Sequence, residues 1–322
     1  MKTVVVLGGL GYIGTHLVKM LLDNKYKVKI LDCEVFGKKH AKKILRHPNC
    51  SYLRGDIRNS LSLARIMKGA DCVVHLAGLV GDPACSIDED DTWLNNTLSS
   101  RLIVDVANHY KIKRLIFASS CSVYGASPAG FILNEGSYLN PVSLYAKTKI
   151  DSEKIFYENF NGSYTALRLG TVFGYSLRMR FDLVANIFTI RAIKNGSIDV
   201  YGGTQYRPFI HCIDAAKAFL SVVMHENTET INREVFNICV ENISIRDLGD
   251  LVIKIIPDAE INYVDVKEDN RNYKVSSEKA RWILDYEPLI TLADGIADMK
   301  ETLTEGFDDW ENNYLYYNHR MN

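Results

Sequence analysis

The sequence predicts an α/β fold, a doubly wound parallel sheet wrapped on both faces by helices, with a smaller mixed α/β unit behind it. Three observations point there. Short apolar runs alternate with helical patterns through the first half of the chain, a glycine-rich turn separates the first run from the first helix, and the regular alternation fades beyond about Gly174. The apolar runs at residues 4–7, 28–31, 51–53, 72–76 and 115–118 each read as a buried strand, and 164–169 reads as one more. Residues 15–24, 61–68, 95–110 and 145–160 read as helices between them.

In the second half, residues 181–194 read as a helix, and 198–201 as a short strand closed by the Gly202-Gly203 turn. Residues 235–239 form another strand, and Ser244 with Asp247 three positions on caps the helix that follows. A final helix begins after Ser276-Ser277 and stops at Tyr286-Glu287-Pro288. The expected division is residues 1–174 and 175–322, with some segments of the second unit returning to the sheet. No linker rich in Pro, Gly or Ser separates them, so the cleft between the halves is the default ligand site.

The chain has 322 residues and a formal net charge of −1, which gives no basic excess for nucleic acid. No apolar run is long enough to span a bilayer, and the start is too short for a secretory signal before it runs into glycines. Seven cysteines without C-x-x-C spacing read as reduced packing thiols in a cytoplasmic protein, and a metal site is not expected.

Gly8, Gly11 and Gly14 lie between the first strand and the first helix. Glycine there permits a tight turn and the close approach of a pyrophosphate, which the helix N-terminus attracts. Asp32 closes the second strand, where a carboxylate takes the adenosine ribose hydroxyls and repels a 2′-phosphate, favouring NAD over NADP. The first unit is therefore a Rossmann-type dinucleotide-binding domain. Asp56, after the third strand, is either an acceptor for the adenine amine or a loop cap. Tyr145 and Lys149 stand one helical turn apart on a single face. An ammonium beside a phenol is expected to lower the phenol's pKa and provide a base for an alcohol proton near neutral pH.

These residues, together with His75-Leu76-Ala77-Gly78, Asn95, Ser119-Ser120-x-x-Val123-Tyr124-Gly125 and Arg207-Pro208-Phe209-Ile210-His211, resemble the extended short-chain dehydrogenase/reductase family, in the branch that works on nucleotide sugars. The resemblance covers nearly the full length. It implies that Tyr145 exchanges a proton with the C4 hydroxyl of the sugar, that Lys149 holds the nicotinamide ribose and that Ser120 shares the hydroxyl. It places Tyr12, Ile13, Ile57, Leu76, Ala77, Gly78 and Asn95 around NAD, with Asn95 supporting the active-site helix and His75 a satisfied structural histidine. Val80, Gly81, Ser122, Thr171, Asn186, Arg207 and Arg271 are then the expected contacts of a nucleotide-diphosphate sugar. Arg178 and Arg180 are further candidates that a solvated face explains equally well. The family commonly forms homodimers through a four-helix interface, here the helices starting near Asn95 and Tyr145.

Departures from the family narrow the reaction. Family 4,6-dehydratases carry an Asp-Glu pair where this chain has Cys121 and Ser122, so 4,6-dehydration is disfavoured. Cys121 is one residue out of register with the 3,5-epimerase cysteine and reads as packing. Thr171 replaces the usual asparagine. A looser resemblance, through Val80–Cys85 and Arg180–Val184, is to GDP-heptose 4-dehydrogenases of capsule polysaccharide biosynthesis. The expected activity is therefore oxidation at C4 of a GDP-linked heptose or related sugar. Alternatives are a 4-epimerase, a 4-keto reductase and, from a different class, a non-catalytic dinucleotide-binding sensor.

Overall fold

A computed structural model describes residues 1–127, 131–264 and 271–318. Seven strands make the main sheet: β1 (Thr3–Leu7), β2 (Lys27–Asp32), β3 (Cys50–Arg54), β4 (Cys72–His75), β5 (Arg114–Ser120), β6 (Ser163–Leu169) and β7 (Glu234–Ile238). Their order is β7-β6-β5-β4-β1-β2-β3, and every pairing is parallel. The first six are the runs expected from the sequence. β7, expected as part of the second unit, returns to the sheet edge beside β6. β1 and β6 are buried throughout; β1 is apolar without alternation, and β6 carries a buried Arg168 that pairs with Glu153.

The chain winds from β1 to β3 on one side and from β4 outward on the other, so β1 and β4 flank the point where the order reverses. Ligands of open parallel sheets bind outside the carboxyl ends of the strands at such a point. The carboxyl ends here carry the Gly8–Gly14 turn, Asp32, Leu76–Gly78, Ser119–Ser120 and Gly170–Thr171.

Helix Gly14–Asp23 covers one face and packs through Leu17 and Leu21 against helix Cys212–Met224, which supplies Phe219 and Val222 to the same core. That second helix is not among those the sequence pattern marks. Helices Ser60–Met67, Ser99–His109 and Leu144–Asn159 cover the opposite face. The rest of the chain forms a three-stranded sheet of Thr171–Phe173, Tyr206–His211 and Glu241–Ser244 and two two-stranded pairs. Its core gathers Phe173, Phe181, Phe188, Leu248, Ile296 and Met299.

The expected helix at 181–194 runs Val184–Asn195, because Leu183 is extended and Asp182 is committed to an ion pair with Arg180. Ser244 caps helix Ile245–Ile255 through the Asp247 N–H at 3.0 Å, as its spacing indicated. Glu278–Leu284 ends on Asp285 in the left-handed region. It is not the last helix. Leu292–Leu303 follows Pro288, opened by a capping box in which the Thr291 hydroxyl accepts from the Asp294 N–H at 3.1 Å and the Asp294 carboxylate accepts from the Thr291 N–H at 3.3 Å. Thr291→Ala removes that cap and is expected to lower the melting temperature by about 2 °C in a thermal scan.

Candidate active site

The glycine turn is shaped by contact. Gly8 takes a φ of 83°, and a Cβ there would lie 2.8 Å from the Ala77 nitrogen. A Cβ on Gly14 would lie 2.3 Å from the Gly8 carbonyl oxygen. Side chains are thus excluded from a cradle at the start of helix Gly14–Asp23, the geometry that a pyrophosphate needs. Asp32 closes the turn from below: one carboxylate oxygen accepts from Leu10 N–H and the other from Glu34 N–H, both at 3.0 Å. Burial raises its pKa despite those bonds.

The turn opens into a cleft of about 780 Å³ that runs between the carboxyl edge of the sheet and the C-terminal half. Gly8, Gly11, Tyr12, Ile13, Gly14, Asp32, Asp56, Ile57, Leu76, Ala77, Gly78 and Asn95 all line it, with Ser120, Tyr145 and Lys149. So do Val80, Gly81, Ser122, Thr171, Arg207 and Arg271. Of the residues expected at the site, Asn186 alone does not. It is fully buried, with its carbonyl accepting from Gly174 N–H at 3.0 Å and its amide donating to the Tyr12 hydroxyl at 2.9 Å and the Arg180 carbonyl at 2.8 Å. Its place is behind Tyr12, as a support for the glycine turn.

Lys149 is almost wholly buried. Its ammonium donates to the Ala118 carbonyl at 2.9 Å and lies 4.8 Å from the Phe117 ring centroid and 5.6 Å from that of Tyr145. Burial pulls its pKa down to about 8. The Ser120 hydroxyl hydrogen-bonds with the Tyr145 phenol and accepts from the Ser122 hydroxyl at 2.9 Å. The expected fall in the phenol's pKa is not what the protein alone produces. Burial raises the Tyr145 pKa, and the Ser120 bond and the Arg180 charge offset it only in part. Desolvation disfavours the phenolate more than these partners favour it.

The helix that carries the pair is fixed from beneath. Glu153, one turn after Lys149, accepts from Arg168 Nε at 3.0 Å and Nη2 at 2.7 Å, and also from the Ser119 hydroxyl. Arg168 Nη1 donates to the Tyr124 hydroxyl at 3.0 Å, which donates to Asn237 at 2.8 Å. Cys121 belongs to this layer: it is fully buried, donates to the Arg168 carbonyl at 3.1 Å and has its thiol pushed well up by burial, so it packs as expected. Sequence spacing did not expose the network, although Glu153 stands four residues after Lys149.

The support assigned to Asn95 is made by its neighbour. Asn96 accepts from Leu79 N–H and donates to the Leu79 carbonyl, both at 2.9 Å, and donates to Thr148 on the Tyr145 helix at 3.2 Å. Residues Leu94–Leu98 form a π turn ahead of Ser99–His109. The extra residue in that turn lets Asn95 line the cleft while Asn96 points inward.

Asp56 is a loop cap: it accepts from Arg58 N–H at 2.8 Å and pairs with the Arg58 guanidinium at 2.6 Å, still at the cleft wall. His75 is buried with its Nδ1 unpartnered and its pKa down at about 3, so it is structural but not hydrogen-bond satisfied at that atom. Arg178 and Arg180 are not on a solvated face. Both line the cleft, and Arg180 forms a buried pair with Asp182 at 2.6 Å. Arg271 pairs with Asp82, and Arg207 donates to the Arg271 carbonyl. Asp269 and Asn270, which precede Arg271 in the sequence, lie outside the described residues.

Residues 4–239 match the family described as NAD dependent epimerase/dehydratase. The chain belongs to that family. It is an NAD-dependent nucleotide-sugar enzyme of the extended short-chain dehydrogenase/reductase group. The chain is 28% identical to a putative UDP-glucose 4-epimerase of Methanocaldococcus jannaschii, over 91% of this chain and 95% of that one. It is 27% identical to UDP-glucuronic acid decarboxylase 6 of Arabidopsis thaliana, over 92% of this chain and 88% of that one. Among solved structures, UDP-glucuronic acid 4-epimerase from Bacillus cereus, in complex with UDP-glucuronic acid and NAD, aligns with a TM-score of 0.85 at 25% identity, covering 94% of this chain and 99% of that one. These relatives carry different reactions, so family membership fixes the cofactor and the substrate class more closely than the outcome.

Lys149 generates a pH test. In the unfolded chain its pKa is near 10.5 and in the folded one about 8. Between those values the unfolded state binds the extra proton, so the Lys149 contribution to stability rises with pH. Thermal scans of nucleotide-free protein from pH 8 to pH 10 are expected to show that rise against Lys149→Met, which lacks the titrating group.

Proposed function

We propose that this protein oxidises the C4 carbinol of a nucleotide-activated sugar, with Tyr145, Lys149 and Ser120 as the catalytic residues. The observation that carries the reading is that these three side chains meet in the cleft that the glycine cradle also lines. Tyr145 as phenolate removes the hydroxyl proton, and Ser120 holds the same hydroxyl. Lys149, pinned by the Ala118 carbonyl, keeps a positive charge beside the phenol ring and presents it to a ribose hydroxyl. NAD, when bound, supplies the hydride acceptor and a positively charged ring that further favours phenolate. Asp32 suits the adenosine ribose hydroxyls and disfavours a 2′-phosphate.

Arg207 and Arg271 suit the diphosphate of the sugar nucleotide, since guanidinium groups match phosphate oxygens in forks. Val80, Gly81, Ser122 and Thr171 line the same cleft. With Cys121 buried and Ser122 beside Ser120, residues 121 and 122 offer no carboxylate for water elimination. The sequence resemblance to GDP-heptose 4-dehydrogenases favours a GDP-linked heptose whose ketone is released for surface polysaccharide synthesis. The names of the relatives favour a second reading, a UDP-sugar 4-epimerase in which hydride returns to the opposite face. Seven free cysteines suit a reducing cytoplasm, and no helix of the described residues is long and apolar enough to cross a membrane.

We also propose a homodimer through the helices that begin near Asn95 and Tyr145, where Leu94, Leu98 and Tyr157 are exposed apolar side chains. Light scattering is expected to give twice the chain mass, and a monomer at working concentration rejects the dimer. The catalytic assignment is tested with Tyr145→Phe, which should lose at least about a thousandfold in turnover and keep NAD affinity within a few-fold. Incubation with UDP-, GDP- and dTDP-sugars deuterated at C4 separates the outcomes. Deuterium retained at an inverted C4 marks an epimerase, and deuterium on reduced cofactor with a released ketone marks a dehydrogenase. Undiminished turnover by Tyr145→Phe contradicts the assignment.

A further inference from the structure

Arg178 is a buried cation without a counter-charge. It lies between strand Thr171–Phe173 and helix Val184–Asn195, in the C-terminal half, and is 4% exposed. Its guanidinium crosses the cleft to stack 3.6 Å above the Phe36 ring, in the loop that follows β2. Nη2 donates to the Asn318 side-chain carbonyl at 2.6 Å, and Nε is buried with no hydrogen-bond partner. No carboxylate of the described residues pairs with it. Asp182 is taken by Arg180 through two bonds, and both oxygens of Asp32 accept backbone N–H groups. Burial, with the Arg180 charge second, pulls the Arg178 pKa down to about 9. A charged group held this way costs stability unless a ligand supplies the opposite charge.

The position of the group selects the ligand. Ser176, two residues before Arg178, donates to the Tyr12 carbonyl at 2.7 Å and meets the Thr15 hydroxyl at 3.2 Å, and Phe36 lies four residues after Asp32 at the end of β2. Arg207 and Arg271 form a separate cluster with Tyr273 and Asp82. Arg178 therefore lines the same cleft as the Gly14 helix N-terminus, on a segment that is hydrogen-bonded to the glycine turn. We infer that Arg178 binds the pyrophosphate of the dinucleotide, so that the anion is clamped between the glycine turn of the first half and a guanidinium fork delivered by the second. The C-terminal segment sets the fork. Asn318 also donates to the Val80 carbonyl at 3.3 Å, and the Tyr316 carbonyl accepts from Phe181 N–H at 2.9 Å, three residues beyond Arg178. Asn318 is a positioning residue that acts through Arg178.

This inference rests on the dinucleotide reading of the cleft. The test is calorimetric titration of nucleotide-depleted full-length protein with NAD, ADP-ribose, UDP and GDP, alongside melting temperatures without nucleotide. Arg178→Met keeps the stack on Phe36 and removes the charge. It is expected to weaken NAD and ADP-ribose about equally, by roughly tenfold or more, and to leave UDP and GDP within twofold. Its melting temperature without nucleotide should equal or exceed that of the parent, because an uncompensated buried charge has gone. Asn318→Ala should weaken NAD less, and the double variant should be no worse than Arg178→Met alone. Arg178→Lys keeps the charge and loses the fork, gives an intermediate loss, and serves if the methionine variant does not fold. Unchanged NAD and ADP-ribose affinity in Arg178→Met overturns the inference, as does a loss confined to UDP or GDP. If the parent protein itself binds no NAD, the dinucleotide reading fails instead.

Discussion

Burying the Lys149 ammonium beside the Ala118 carbonyl sets the terms for the rest of the site. A lysine with almost no exposure must be compensated, and the structure compensates it with a strand-end carbonyl and the faces of two aromatic rings. That requirement locks helix Leu144–Asn159 to the end of β5. It fixes Tyr145 one turn away, and it leaves the phenol in surroundings where its own ionisation is unfavourable. On the proposed assignment the phenol becomes a base only when further positive charge arrives, which ties its reactivity to the bound state of the cleft.

A second buried pair makes the arrangement rigid. Glu153 and Arg168 join the active-site helix to β6, and Tyr124 with Asn237 extends the network to β7. Ser119 is held by the same Glu153, so the neighbouring Ser120 inherits its direction. Breaking a buried pair of this kind usually costs about 3–5 kcal/mol. The late return of Glu234–Ile238 to the sheet therefore closes the network that holds Ser119, next to Ser120.

Much of this was legible in the sequence, and the reasons are local. Val4–Leu7 reads as a strand because a strand buried on both faces needs no polar alternation. The Gly8 and Gly14 positions were legible because steric exclusion there admits no side chain. Tyr145 and Lys149 were legible because a helical turn is a fixed spacing. What escaped depends on tertiary contact. The π turn at Leu94–Leu98 moves the supporting role from Asn95 to Asn96, and no periodicity marks a single inserted residue. Asn186 resembles a substrate contact of the family but is consumed by Gly174, Tyr12 and Arg180. The sequence left Arg178 and Arg180 open between cleft contacts and surface charges because burial of a cation is invisible until its surroundings fold around it. Leu292–Leu303 was overlooked although its Thr-x-x-Asp cap stands in the sequence.

The central claim is that the buried phenol of Tyr145 is a poor acid until positive charge joins Lys149 beside it. The direct measurement is an ultraviolet pH titration of the phenolate band, taken as wild type minus Tyr145→Phe, with and without saturating NAD. The account predicts that without NAD the difference spectrum shows no ionisation below the ordinary tyrosine pKa of about 10, and that NAD shifts the midpoint down by at least about one unit. A midpoint that is the same in both conditions would contradict it.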